Sequence, residues 1–304
     1  MKSKQSDKTG GGDRGNVVLL KLNNIKCNLP NSKGGYTFPK YKITGSSDFL
    51  FVLLFGIKNS GKTVAGLNYL MHEEHLMENQ NKVYFFSPTL DQKLINFQKD
   101  HPDHFKIIDE FNVKTFQEVI HEIKEIIEKW KDDKKLLELF ELFLKDKDKL
   151  DPECLQILED NNYLQDFDFE HFNYDYPPIH SIFVDDSLGS PMISSRGKDA
   201  QIFNNFAIRH RHFYTNLFIM SQYPKSINKV LRSNSNNILI WQMKDRTIYE
   251  AIFPEFSSLF KGNVERFIEI MDMIEQKNDH SFLFIYYDKE QFLRLNFDQQ
   301  ILLN

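Results

Sequence analysis

The stretch FLFVLLFGIKNSGKT, residues 49–63, joins the most apolar run of the chain to a short polar loop bounded by glycines. An uninterrupted apolar run of this length suits a strand buried on both faces, as in a parallel sheet. Gly56, four intervening residues, then Gly61, Lys62 and Thr63 complete the P-loop pattern. There, small residues let backbone N–H groups wrap phosphate oxygens, the lysine reaches the β/γ-phosphates, and the threonine hydroxyl binds magnesium. Behind the loop, KTVAGLNYLMHEEHLMENQ sets Val64, Leu67, Leu70, Met71 and Leu76 at helical spacing, so strand, loop and helix follow in the required order. Nucleotide contacts are expected from Gly56, Asn59, Ser60, Gly61, Lys62, Thr63 and Val64, with ATP and Mg2+ as the ligands.

A P-loop site needs acids opposite its first strand, and SIFVDDS, residues 181–187, has that form. The apolar run Ser181 to Val184 ends in Asp185 and Asp186 at a strand's carboxyl edge, where ligands bind in open α/β sheets. Asp185 is expected to share the magnesium with Thr63, and Asp186 to polarise the attacking water. A second apolar strand, TNLFIMSQ (215–222), ends in Ser221 and Gln222. An amide there can sense the γ-phosphate and orient water. A hydrogen bond within the loop is the alternative reading of that amide.

With 304 residues the chain has room for one large or two small domains, and the 28 phenylalanines are read as packing. Its net charge of -5 argues against a surface coated for non-specific nucleic-acid binding and leaves room for a local basic loop or ring lining. Cys27 and Cys154 match no metal-ligand spacing, which disfavours a disulfide framework or zinc and fits a reducing compartment. The longest apolar run, nine residues at 49–57, is too short to cross a bilayer, and MKSKQSDKTGGGDRG has no apolar signal core. A soluble, unsecreted protein with no membrane partner is expected.

Residues 1–35 read as a flexible N-terminal arm, with an edge strand within NVVLLKLNNIKCNLP, and 36–304 as a single P-loop domain. NKVYFFSPT (81–89) and HFKIID (104–109) read as strands. Between about 115 and 165 the sequence is highly charged, with Ile, Leu and Phe at helical spacing: a helical insertion, either a solvated cap on the sheet or a contact for a partner or DNA. Beyond it come the acidic strand, the amphipathic AQIFNNFAIRHRHF (200–213), the strands TNLFIMSQ and NNILIWQM (236–243), helical segments over about 246–277, and the strands HSFLFIYYD and QFLRLNF. Strands alternating with helices predict an α/β fold with a mostly parallel central sheet flanked by helices.

Over residues 45–255 the P-loop, the Asp185–Asp186 pair, RHRHFYTNLFIMSQ and LRSNSNNILIW stand in the same order as in the poxvirus-type genome-packaging ATPases of large DNA viruses and virophages. The chain resembles that family, within the FtsK–HerA superfamily. The resemblance implies an additional-strand P-loop NTPase fold of the RecA/FtsK–HerA type and a homo-oligomeric ring, pentamer or hexamer. It also implies ATP-driven translocation of double-stranded DNA into a preformed capsid, with capsid or portal-vertex proteins as partners, in the host cytoplasm at the site of virus assembly and in the virion. It casts Gln222 as the sensor on the strand inserted between the P-loop and acidic strands. Many relatives place Glu where Asp186 stands, which leaves the identity of the general base open.

Ring motors complete each site with a neighbour's arginine, and RHRH and LRSN offer Arg209, Arg211 and Arg232. For each arginine singly, a salt bridge or a solvated helix end is an equal reading. The basic stretches SSRGK (194–198) and KSINKVLR (225–232) follow strand ends and are candidates to face DNA. Three decoys fall away: HEEH, His72 to His75, has the wrong spacing for zinc; His210 and His212 have no further ligands beside them; DSLG at 186–189 lacks a guanine-reading aspartate in NKVL. Only 118 residues follow Asp186, much of that length needed to finish the sheet, which disfavours an appended nuclease. A small-molecule kinase and a non-enzymatic, nucleotide-gated assembly scaffold are the rival readings.

Overall fold

Apolar runs of four to seven residues become strands here because a ladder pairs their backbone groups while both faces stay out of water. The structure, a computed structural model, describes residues 17–21, 49–72, 82–89, 92–169, 172, 176–185, 189–193, 197–277, 280–287 and 291–303. Along the chain run β1 (Val17–Lys21), β2 (Phe51–Phe55), α1 (Lys62–His72), β3 (Lys82–Phe86), α2 (Gln92–Asp100), β4 (Phe105–Ile108), α3 (Val113–Lys145), α4 (Pro152–Asp160) and β5 (His180–Val184). They are followed by α5 (Lys198–Arg209), β6 (Thr215–Ser221), α6 (Lys229–Asn234), β7 (Asn237–Trp241), α7 (Arg246–Ile252), α8 (Val264–Glu275), β8 (Phe282–Tyr286), β9 (Phe292–Leu295) and β10 (Gln299–Leu303).

All the strands form one sheet in the order β1-β10-β9-β8-β7-β2-β6-β5-β3-β4. From β7 to β4 every pairing is parallel, and from β7 outward to β1 every pairing is antiparallel. The mostly parallel centre is the expected one. β1 lies within the stretch read as an arm and is the edge strand against β10; the rest of residues 1–35 lies outside the described residues.

The central strands send alternate side chains to opposite faces. Phe51, Leu53 and Phe55 of β2 join the core under α3, α5 and α8, while Val52 and Leu54 join the core under α1 and α2. Aromatic contacts knit both layers. Phe183 and Phe218 stack at 4.2 Å between ring centres, and Phe116 meets Phe203 and Phe206 edge-on at 5.2 Å each. Asparagines hold the amino edge. The Leu50 N–H donates to Asn216 Oδ1 and the Phe51 N–H to Asn236 Oδ1, both at 2.9 Å, so side chains continue the ladder where β2 begins.

The charged insertion resolves into α3 and α4. Asn112 caps α3 through a reciprocal box with Thr115, and Asp151 caps α4 with Pro152 in its first turn. Phe116, Val119, Ile123 and Ile127 are buried, and beyond them only Leu137 of α3 is. The helix thus packs at its start and is solvated along most of its remaining length. Glu122 fastens it to the sheet, accepting from Lys82 at 2.6 Å and Lys106 at 2.9 Å. Burial alone would raise the Glu122 carboxyl, but the two lysines hold it below the usual carboxylate range. No helix among the described residues is long and apolar enough to cross a membrane.

His180, at the start of β5, is fully buried, and neither ring nitrogen has a hydrogen-bond partner. Burial pushes its imidazole down to about 4. A depressed histidine stabilises the fold above the unfolded-state value of about 6.5, and that contribution is lost as pH falls towards 4, because unfolding then takes up a proton. Denaturant melts between pH 6.5 and 4 should show His180→Leu losing stability less steeply than the parent, by about one proton in the slope.

Candidate nucleotide-binding site

The parallel register brings the ends of β2, β6 and β5 to one edge. Phe55 stands beside Ser221, and the Gly56 N–H donates to the Ser221 carbonyl at 3.2 Å, closing the last rung before the loop leaves the sheet. A Cβ on Gly56 would lie 2.6 Å from Ser60 Oγ and 2.8 Å from Trp241 Cβ, so only glycine fits there. Asn59, at φ 65°, and Gly61, at φ 97°, take left-handed backbone. Asparagine tolerates that region and glycine enters it freely, and such turns group backbone N–H donors into an anion-binding concavity. α1 starts at Lys62, so the positive end of its dipole faces the same concavity.

Lys62 is only 9% exposed, and its ammonium donates to the Gly56 and Ile57 carbonyls at 2.8 Å each. The charge is held within the loop. Ser60 Oγ is buried without a hydrogen-bond partner. The Thr63 hydroxyl, in the first turn of α1, donates to Asp185 Oδ2 at 3.2 Å, although β2, which leads into the loop, and β5, which leads to Asp185, are separated by β6. The Asp185 N–H in turn donates to the Phe86 carbonyl at 2.8 Å, which fixes the end of β5 against β3. Gln222 follows Ser221 directly, between the loop and the acidic strand. Val64, 49% exposed, stands on the first turn of α1.

A turn that groups backbone donors, a buried ammonium, a first glycine with no room for a Cβ, and a hydroxyl–carboxylate pair fit magnesium nucleotide. Magnesium is held in such sites by one or two protein oxygens, with phosphate oxygens and water completing the shell. One strand, β6, stands between the P-loop strand and the acidic strand. The chain has the additional-strand P-loop fold.

No protein-family model matches the chain, and no curated protein matches it either. Among solved structures, the chain is similar to the genome packaging NTPase B204 from Sulfolobus turreted icosahedral virus 2 in complex with AMP, at 12% identity over 82% of this chain and 96% of that one, with a TM-score of 0.47. It is similar to the pCW3 conjugation coupling protein TcpA, at 14% identity over 94% of this chain and 68% of that one, with a TM-score of 0.43. A third likeness is to EssC (ATPases 2 and 3) from Geobacillus thermodenitrificans, at 12% identity over 82% of this chain and 38% of that one, with a TM-score of 0.40. The fold class stands on the strand order and on the loop itself.

Of the residues singled out in the sequence, Gly56, Asn59, Ser60, Gly61, Lys62, Thr63, Val64, Asp185 and Gln222 meet at this carboxyl edge. Asp186 lies outside the described residues, as do Arg196 and positions 73–75 of HEEH. Arg209 and Arg211 do not stand beside the loop. Arg209 ends α5 and Arg211 lies in the turn before β6, both exposed at the opposite, amino edge. Arg232 is engaged within the chain: its Nε donates to Glu255 Oε1 at 2.8 Å, and Nη1 donates to the Ile227 carbonyl. His210 is buried with Nδ1 at 2.6 Å from the Thr215 carbonyl, and no group of His, Cys, Asp or Glu among the described residues could hold a metal without further ligands.

Two residues that sequence reasoning missed touch the loop, Trp241 at the end of β7 and His280 in the turn before β8. Each sits in a run read only as a strand, and nothing local marks its contact with a loop some 180 to 220 positions earlier. Removing the buried ammonium tests the site directly. In a steady-state phosphate-release assay, Lys62→Ala should lower ATP turnover by about 10²- to 10³-fold or more, and turnover near the parental rate would show that this loop is not the active site.

Proposed function

We propose that the chain is a magnesium-dependent ATPase that works as a homo-oligomeric ring, moving double-stranded DNA into a viral capsid in the host cytoplasm, with residues 36–304 as one ATPase domain. The observation that carries the proposal is the Thr63–Asp185 contact across β6, made beside a buried P-loop lysine. A hydroxyl and a carboxylate meeting at that point would supply two oxygens of an octahedral magnesium shell, leaving the rest to phosphate oxygens and water.

In this reading the backbone N–H groups of the loop and the Lys62 ammonium hold the phosphates, and Thr63 and Asp185 hold the cation. Mg-ATP supplies the transferable phosphoryl group and neutralises the charge that develops on it. Gln222 orients the attacking water, Asp186 accepts its proton, and Arg209 or Arg211 of a neighbouring subunit stabilises the transferring group. Position favours those two over Arg232, because an arginine acting across an interface must be exposed, and Arg232 is spent on Glu255 and Ile227.

The DNA side of the proposal draws on the motif order and on two basic segments at the same edge as the nucleotide loop. Lys198 opens α5 after the loop that leaves β5, while Lys225 and Lys229 follow β6, all three exposed. Few contacts per subunit, multiplied around a ring, reconcile DNA binding with a chain of net charge -5.

Rates of ATP hydrolysis with and without long duplex DNA, read beside the mass of the assembly, separate this function from its rivals. A motor is expected to form a closed oligomer whose hydrolysis rises several-fold with DNA. A strict monomer with no stimulation would point to a small-molecule kinase, and nucleotide binding without turnover to an assembly scaffold.

A further inference from the structure

The nucleotide loop is gripped from the side of the sheet that carries no catalytic acid. The His280 ring nitrogen Nδ1 lies 3.3 Å from the Ser60 carbonyl oxygen. A carbonyl only accepts, so the imidazole that bonds it carries its proton on Nδ1. The same ring lies against the following residue, with Nδ1 3.6 Å from where a Cβ on Gly61 would stand.

His280 is itself held. Trp241, fully buried, donates from Nε1 to the His280 carbonyl at 3.1 Å, and its Cβ closes on Gly56, 2.8 Å from where a side chain there would begin. The ends of β7 and of the turn before β8 thus bracket the loop at its first glycine and at the peptide before its second.

That peptide is the one whose orientation matters. In a planar trans peptide the carbonyl and the next N–H point in opposite directions, so a donor that pins the Ser60 oxygen aims the Gly61 N–H the other way. Gly61, at φ 97°, has no side chain of its own to restrain the rotation. We propose that His280 is a positioning residue for nucleotide binding: by holding the Ser60 carbonyl it keeps the Gly61 N–H turned towards the phosphates. The inference rests on the nucleotide-binding reading above and adds to it that the C-terminal strands build part of the site.

The test measures ATP KM and kcat, the affinity for a non-hydrolysable ATP analogue, and the melting temperature, for the full chain and for His280→Ala, His280→Asn and His280→Gln. His280→Ala is expected to raise KM and weaken analogue binding about fivefold, the worth of one hydrogen bond, with kcat within about twofold of the parent. The Asn amide nitrogen reaches the position of Nδ1 and should restore affinity to within about twofold, whereas Gln, whose amide reaches further out, should behave as Ala. If the Ala variant does not fold, the contrast between Asn and Gln decides. Parental affinity in His280→Ala, equal affinity in the Asn and Gln variants, or losses of affinity that only track losses in melting temperature would overturn the inference alone. A parent chain that binds no nucleotide would overturn the nucleotide reading and this inference with it.

Discussion

The hydrogen bond from Thr63 to Asp185 ties the first turn of α1, carried beyond the end of β2 by the loop, to the residue that follows β5, a strand that is not a neighbour of β2 in the sheet. It forms only if β2, β6 and β5 all end at the same level, and the Gly56 N–H bonded to the Ser221 carbonyl and the Asp185 N–H bonded to the Phe86 carbonyl are the rungs that set that level. A slip of one residue in any of the three ladders would turn the apolar set of a strand to the wrong face. The core therefore guards the site's geometry: the two faces of β2 are filled by different helices, and the stacked Phe183 and Phe218 lock β5 to β6. At the amino edge Asn216 and Asn236 hold the start of β2, so the strand carrying the loop is fixed at both ends.

The parts of this arrangement that sequence revealed are those in which one local pattern carries the whole signal. The strand, loop and helix over 51–72, the apolar strands leading to Asp185 and Gln222, and the amphipathic segment that became α5 are each legible from adjacent residues. The insertion was legible as helical from its periodicity. Its division into α3 and α4 follows from the caps at Asn112 and Asp151. What stayed hidden depends on contacts between distant residues. β10 is short and opens on two glutamines, and it is a strand by virtue of pairing with β9 and β1. Arg232 is held by Glu255, 23 positions further on, a contact that no local pattern announces. His280 and Trp241 reach the loop through the fold alone. Asparagines that composition made unremarkable turn out to terminate a ladder.

Magnesium is where this geometry can be tested most directly, because the Thr63–Asp185 pair has one consequence that no other part of the loop shares. Calorimetric titration of a non-hydrolysable ATP analogue, with Mg2+ and with a chelator, in the parent, Thr63→Ala, Asp185→Asn and the double variant isolates it. The expected result is that Mg2+ tightens binding in the parent, that either single substitution removes most of that gain, and that the double variant loses no more than either alone, as groups sharing one ion must. A magnesium effect that survives both substitutions, or losses that add independently, would contradict the shared site.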